Sequence, residues 1–134
     1  MSMAGVVAYI QATVGAVEGI RLAPAYPPEQ ANVYPFAVCY PGSGSWTRMS
    51  GWKKAMHTVN LEIHWPRKDL YRDVERAVEF AETVPNDLLS DPTLGGNCET
   101  ITDMSYSFGA MTYGGVDTIG WRYSITYKDE TAIT

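Results

Sequence analysis

Cysteine, histidine and basic residues are scarce in this 134-residue sequence, and each scarcity excludes a kind of site. The two cysteines, Cys39 and Cys98, lie in separate segments without a CxxC pair, so they predict neither a zinc site nor a disulfide framework. We expect two buried thiols instead. Ten Lys and Arg against fifteen Asp and Glu give a formal charge of −5, which argues against tight binding to a nucleic acid backbone.

Long apolar runs are also missing. The N-terminal segment lacks the basic start of a signal peptide, and Gln11 and Thr13 interrupt its apolar residues. No run reaches the ~20 apolar residues that a helix needs to cross a bilayer. We therefore expect no membrane partner and a cytoplasmic protein when it is made.

The composition that is present is typical of one folded domain. Hydrophobic residues make up 46% of the chain and charged residues 19%, and no internal segment has the composition of a linker. We predict a single domain over residues 1–134. The charge is uneven, because residues 21–68 hold six basic and two acidic residues, a net of +4, which leaves −9 for the remainder. Such polarity suits contacts between copies or partners.

Hydrophobic periodicity predicts two helices and four strands. Ser2 is a predicted cap of the first helix, Asp69 caps the second, and Pro85 follows its last residue. The predicted elements in chain order are a helix over 2–18, a proline-rich extended connector over 22–35, strands over 33–40 and 52–65, a helix over 69–84, and strands over 97–108 and 116–128.

The order αββαββ predicts the fold class α+β. Two hairpins separated by one helix form a mostly antiparallel four-stranded sheet, with the two helices packed on one face of it. The strand positions predicted to face the core are Val59, Leu61, Ile63 and Trp65. The glycine- and serine-rich segment 41–51 predicts a mobile loop in the first hairpin. The YGG sequence at residues 113–115 predicts the turn of the second hairpin.

The segment VPNDLLSDPTLGG after the second helix predicts a stiff corner. Pro85 and Pro92 bracket a short helical turn, in which Asp87 and Ser90 are expected to satisfy free backbone donors. The side chains expected to point inward are Leu88, Leu89 and Leu94. Gly95 and Gly96 are expected to adopt positive φ where the chain turns into a strand.

The sequence offers no pattern for catalysis, a cofactor or a metal. His57 and His64 fall on opposite sides of one predicted strand, so we do not expect them to share a metal, and we expect both at the surface or at an interface. Ser43 and Ser45 lie in a hairpin segment and not in the strand-to-helix elbow of a hydrolase. We therefore expect no enzyme.

The most suggestive surface features are an aromatic, basic loop and an acidic helix. Tryptophan, methionine and arginine are enriched where proteins meet, and the predicted interface residues of the loop are Trp46, Arg48, Met49, Trp52, Lys53 and Lys54. Two alternatives are that both tryptophans fold back over the core, or that the loop contacts DNA. The predicted interface residues of the acidic helix face are Asp73, Glu79 and Glu82.

The run RKDLYRDVERAVEFAETVPNDLLSDPTLGGNCETI, followed by a last strand ending GWRYSITYK, resembles the small tail-terminator and tail-completion (minor tail) proteins of long-tailed bacteriophages. The likeness covers about residues 60–128. It implies a structural role, in which a ring, usually of six copies in such proteins, caps the completed tail tube, stops its polymerisation and provides a docking surface for the head.

The resemblance also implies partners and a location. The partners are further copies of the chain, the tail tube protein and the head connector or neck proteins, with DNA passing transiently through the ring. The location is the tail–head junction of the virion, and the host cytoplasm during assembly. A head-closure or neck connector is the nearest alternative, and a small ligand-binding or hydrolytic domain is the alternative from another class.

Overall fold

A computed structural model describes residues 3–24, 27, 33–67 and 70–132 of the chain. The elements are α1 (Met3–Gly15), β1 (Phe36–Met49), β2 (Trp52–Pro66), α2 (Leu70–Val78), α3 (Thr83–Leu89), β3 (Thr100–Tyr113) and β4 (Val116–Ala132). The strands form one antiparallel sheet in the order β1-β2-β4-β3. The predicted antiparallel four-stranded sheet is confirmed, and so is the order αββαββ when the consecutive α2 and α3 are taken together.

α1 is held by one buried stripe and one buried amide. Val6, Ile10 and Val14 recur at helical spacing and are wholly buried. Gln11, which interrupts the apolar pattern, is buried as well, and its Nε2 donates a hydrogen bond to the carbonyl of Ala37 in β1 at 3.2 Å. The helix ends at Gly15, earlier than predicted, and the predicted cap at residue 2 lies outside the described residues.

The predicted single helix over 69–84 is wrong, because the chain breaks it in two. α2 ends at Val78, and α3 begins at Thr83 with Pro85 in its first turn. Proline is tolerated there because the first amides of a helix have no intrahelical acceptor. The proline predicted to follow a helix therefore lies inside the next one, and the predicted cap at residue 69 is outside the described residues.

The predicted mobile loop over 41–51 is also wrong. β1 continues to Met49, Met49 pairs with Trp52, and only residues 50 and 51 separate the two strands. A register shift between Pro41 and Gly44 accommodates the glycine-rich segment as a bulge within the strand. A Cβ on Gly44 would lie 2.6 Å from the carbonyl oxygen of Met56, so glycine is required by the close approach of β2.

The second hairpin turns where the sequence predicts. Gly114 and Gly115 have φ of 59° and 80°, as a two-residue turn between antiparallel strands requires. β3 begins at Thr100, later than predicted, and both strands extend past their predicted ends, to Tyr113 and Ala132.

The corner between α3 and β3 is built around a residue that the sequence did not single out. Asp91 accepts hydrogen bonds from the amide and hydroxyl of Thr93 at 3.1 and 2.7 Å, and from the amide of Gly95 at 3.1 Å. The Thr93 hydroxyl and the Gly95 amide lower the pKa of Asp91. Asp91, and not Asp87 or Ser90, therefore binds the free donors. The Ser90 hydroxyl instead donates to the carbonyl of Asp87 at 2.8 Å.

The leucines of this corner separate into two groups. Leu88 and Leu94 are wholly buried as predicted, whereas Leu89 is 47% exposed, so its inward prediction is wrong. Gly95 and Gly96 have φ of 71° and 82°, which confirms the predicted positive values.

One hydrophobic cluster contains residues of all three helices and of the sheet. It includes the predicted core positions Val59, Leu61, Ile63 and Trp65, all buried. The Trp121 indole donates to the carbonyl of Ala77 in α2 at 2.9 Å. Cys39 and Cys98 are buried free thiols as predicted, and burial raises their pKa values to about 12 and about 11. In the described ranges, every helix is too short or too polar to cross a membrane.

Candidate functional site

The two faces of the sheet differ in chemistry. Residues that pair across antiparallel strands share a face. We call the face that carries Leu61 and Ile63 the core face, and the one that carries Glu62 and His64 the polar face. Hydroxyl and amide pairs cross β2 and β4 on the polar face: the Thr58 and Thr126 hydroxyls lie 2.9 Å apart, and the Ser124 hydroxyl donates to Asn60 Oδ1 at 3.3 Å.

Five polar side chains at one end of the polar face form a connected network, which we call the Glu62 cluster. Its members are Tyr40, Glu62, His64, Thr118 and Arg122. Glu62 Oε1 lies 2.9 Å from His64 Nε2, and Glu62 Oε2 accepts from Arg122 Nε at 3.0 Å and from the Tyr40 hydroxyl. His64 Nδ1 lies 2.6 Å from the Thr118 hydroxyl oxygen. Both Glu62 oxygens are therefore paired although the residue is buried.

Aromatic rings enclose His64, the most deeply buried titratable member of this cluster. Phe36 stacks on His64 with ring centroids 4.8 Å apart, and Tyr113 lies 5.4 Å from the same imidazole. Burial by itself would raise the pKa of Glu62, but hydrogen bonds from His64 and Tyr40 and the charges of His64 and Arg122 outweigh it and lower that pKa to about 2. Glu62 is therefore held as a carboxylate.

The order Thr118–His64–Glu62 has the arrangement of a nucleophile, a base and an orienting acid. His64 and Thr118 are wholly buried, however, so a substrate has no access to the hydroxyl in this conformation. The arrangement stabilises the fold, because each buried polar group has a partner.

Sequence reasoning missed the Glu62 cluster. Two polar residues spaced two apart, Glu62 and His64, were visible on one side of a predicted strand, and Thr118 and Arg122 on one side of another. The pairing of β2 with β4 was the missing information.

The prediction that both histidines lie at the surface or at an interface is wrong, because both are buried within the chain. His64 is wholly buried, and His57 is buried between the rings of Trp46 and Tyr127, at centroid distances of 4.7 and 5.6 Å. They do lie on opposite faces, as predicted, because Val59 and Ile63 share the core face with His57.

In the β1–β2 hairpin tip, residues 44–54, β1 lies at the edge of the sheet and β2 is paired with β4 on its other side. Trp46 is 61% exposed, and Met49 and Trp52 are each 53% exposed, so the alternative in which the tryptophans fold over the core is wrong. The cross-strand pairs divide the predicted interface residues between two faces. Trp46, Arg48 and Lys53 lie on the core face, whereas Met49, Trp52 and Lys54 lie on the polar face.

The Trp46 side of the tip is partly organised. Lys53 Nζ lies 5.1 Å from the centroid of the Trp46 ring, a cation–π distance. With His57 beneath it, Trp46 has neighbours on the hairpin itself while most of its surface remains open. The tip therefore presents an aromatic residue in a defined position.

The structure does not bring the three predicted acidic residues onto one exposed helix face. Asp73 is 4% exposed, so its prediction as an interface residue of the acidic helix face is wrong. Glu79 and Glu82 are exposed, but they lie between the end of α2 and the start of α3. Only these two remain available for the predicted contact.

Within the described ranges, histidine, cysteine, aspartate and glutamate side chains form no group of three that could hold a metal ion. Comparisons of the chain with models of known protein families and with curated proteins find no match. The proposals below therefore depend on the residues and their geometry, together with the resemblance of the sequence.

Proposed function

We propose that this chain is an assembly subunit that forms a ring, and more specifically a tail terminator of a long-tailed bacteriophage. The observation that carries the proposal is the hairpin tip, where Trp46, Met49 and Trp52 are each more than half exposed in the described chain. Large apolar side chains beside basic ones are what protein interfaces concentrate. An element of this kind supports a role in binding another protein.

We also propose that residues 1–134 are one domain and that all helices cover the core face. The support is the single large hydrophobic cluster, to which α1, α2 and α3 all contribute. This arrangement leaves the hydroxyl-rich centre of the polar face available. In a ring that DNA crosses, a surface of Thr and Ser whose neighbouring cations, Arg122 and Lys128, are paired with carboxylates would let the DNA pass. Tight binding to phosphate needs dense Lys and Arg.

The partners in this proposal are further copies of the chain, the tail tube protein and the head connector. A ring that closes needs a head-to-tail contact between two different patches. The ring would cap the finished tube, end its growth and bind the head at the tail–head junction. The subunit would act through its shape and its contacts with other proteins, without making or breaking a covalent bond.

Electron microscopy of the concentrated protein tests the proposal. Closed rings, expected with six subunits and a central opening, support it. Trp46→Ala/Trp52→Ala should abolish the rings, whereas Leu70→Ala/Tyr71→Ala, which removes two exposed side chains of α2 far from the tip in sequence, should keep them. Rings that persist in the tryptophan double variant would contradict the role of the hairpin tip in ring formation.

A head-closure protein would share the ring and the absence of chemistry, so the two roles differ only in the partner. Binding to purified tail tubes favours the terminator. Binding to mature heads in the absence of tails favours head closure.

A small hydrolytic domain is a second candidate because of one observation, the Thr118–His64–Glu62 arrangement. Burial of the hydroxyl weighs against it. Hydrolysis of a p-nitrophenyl ester by the wild type, lost in Thr118→Val with the fold intact, would support this candidate and contradict the assembly proposal.

A further inference from the structure

Among the described residues, β3 is an open edge of the sheet with little to prevent another strand from pairing with it. The strand order places β3 at one edge, and beyond its bulge at Ile101 the ladder runs without interruption from Asp103 to Tyr113. This stretch contains no lysine, arginine or proline. Such residues are the usual protection of an exposed edge, and a long edge without them is a template for a further strand.

The opposite edge, β1, is protected in its first half only. The Ala37 amide donates to the carbonyl of Leu22 at 2.8 Å, and the Ala37 carbonyl accepts from Gln11, so the polar groups of that position are already used. Pro41 offers no amide. Beyond the bulge, residues 44–49 form the open part of this edge, and they belong to the hairpin tip.

The two open edges carry opposite charge. The hairpin tip, residues 44–54, has three basic residues and no acidic one, a net of +3. Residues 99–113, which lead into and form β3, have Glu99 and Asp103 and no basic residue, a net of −2. Complementary charge favours contact between these edges in different copies and disfavours contact of either edge with itself.

The directions of β1 and β3, and the sheet face on which their exposed aromatic residues lie, also fit a contact between these two edges. β1 and β3 are antiparallel, because each neighbouring pair in β1-β2-β4-β3 is antiparallel. A copy placed head to tail therefore continues the sheet with antiparallel pairing and keeps its core face on the same side. Trp46 and Tyr106 both lie on the core face, through their pairs with Ala55 and Tyr123, and Tyr106 is 69% exposed.

We propose that residues 44–49 of one copy pair as an added strand with residues 103–113 of the next copy, with Trp46 beside Tyr106. The inference rests on the proposed ring and names the two surfaces that join its subunits. The contact is heterologous, since each copy gives its hairpin tip to one neighbour and its β3 edge to the other. Repetition of this contact generates a ring when the rotation between neighbouring copies closes, as the proposed function requires.

Mixing two disabled variants tests the pairing. Trp46→Ala/Arg48→Glu disables the hairpin tip, and Tyr106→Lys/Ala110→Lys places lysines on the β3 edge. Leu70→Lys/Tyr71→Lys adds the same charge at exposed positions of α2 and serves as the control. Sedimentation velocity gives the mass of each protein, and thermal melting verifies that each is folded. Asp103→Lys replaces the edge variant if the latter is unfolded.

The wild type and the control should assemble, and each disabled variant alone should remain at the monomer mass of 14.8 kDa. An equimolar mixture of the two variants should give a heterodimer of twice that mass and nothing larger, because one intact contact remains. Assembly of the edge variant alone, or a mixture that stays monomeric, would overturn the pairing while leaving the ring intact. A wild type that stays monomeric would overturn the ring proposal itself.

Discussion

β1 and β2 each consist of two halves with different tasks. Where Phe36–Tyr40 pairs with residues 60–64, the strands are almost entirely buried, and even the carboxylate and imidazole of the Glu62 cluster are enclosed. In the hairpin tip, the same two strands expose both tryptophans. A bulge between Pro41 and Gly44 separates the halves.

The difference shows how one pair of strands can supply both stability and contact. In the buried half, each side chain already has a partner within the chain, so substitutions there should act on folding. At the tip, large apolar surface remains unpaired, so substitutions there should act on association. Four pairs of variants or conditions sharpen this contrast.

The largest difference in stability is expected between two tryptophan-to-alanine variants of β2, one in its buried half and one in its exposed half. Trp65→Ala empties a buried position and should lower the free energy of unfolding by about 4 kcal/mol. Trp52→Ala, in the exposed half, should lower it by less than about 1 kcal/mol. Urea denaturation of both variants measures the difference. Equal losses would mean that the two halves do not differ as described.

A backbone contact in the buried half should give the next effect. A Cβ on Gly120 would lie 1.8 Å from the carbonyl oxygen of Ile63, which cannot move without breaking the pairing of β2 and β4. Gly120→Ala should therefore cost about 3 kcal/mol. Gly109, its cross-strand partner in β3, has open space at that position, and Gly109→Ala should change stability little. Thermal melts of the two variants compare them.

Loss of the charge in the Glu62 cluster should have a smaller effect. Glu62→Gln keeps the shape but removes the ion pair with Arg122 and should cost about 2 kcal/mol, since a hydrogen-bonding group is left imperfectly paired. Glu130→Gln makes the same change at a half-exposed carboxylate near Lys128, where less than about 1 kcal/mol is expected. A neutral result for Glu62→Gln would show that the network does not stabilise the fold.

Acid should remove the same contribution from the wild type. The pKa of Glu62 is lowered from 4.5 to about 2 in the folded chain, so its stabilisation is fully present above about pH 4.5 and is lost as the pH falls toward about 2. The gap in unfolding free energy between the wild type and Glu62→Gln should therefore narrow over that window. A gap that is constant from pH 6 to about 2 would contradict the lowered pKa.

Local sequence patterns predicted the strands of the sheet better than the points at which helices and strands begin and end. Alternation in β2 identified Leu61 and Ile63 as core, and the two glycines of the second turn marked the β3–β4 hairpin. The helix end predicted before Pro85 was wrong because proline is common both just after a helix and in the first turn of a new helix. The mobile loop predicted around residues 42–45 was wrong because glycine and serine occur both in loops and in bulges. The pairing with β2 decides between the two.

The candidate site likewise has one part that local sequence features could predict and one part that they could not. The exposed tryptophans of the hairpin tip could be predicted as an interface, since their type and basic neighbours are local features. The Glu62 cluster could not be predicted, because Arg122 and Glu62 are 60 residues apart and meet only through the strand register. Asp73 was misplaced because its position on a charged helix did not show which neighbour would bury it.

The mass of the wild type in solution across a concentration series tests the central claim most directly. A subunit that works by association should shift from 14.8 kDa to a discrete assembly, at six copies about 89 kDa (6 × 14.8), as the concentration rises. A chain that remains at 14.8 kDa at every concentration would contradict the account, because its exposed hairpin tip and open edges would then not join copies.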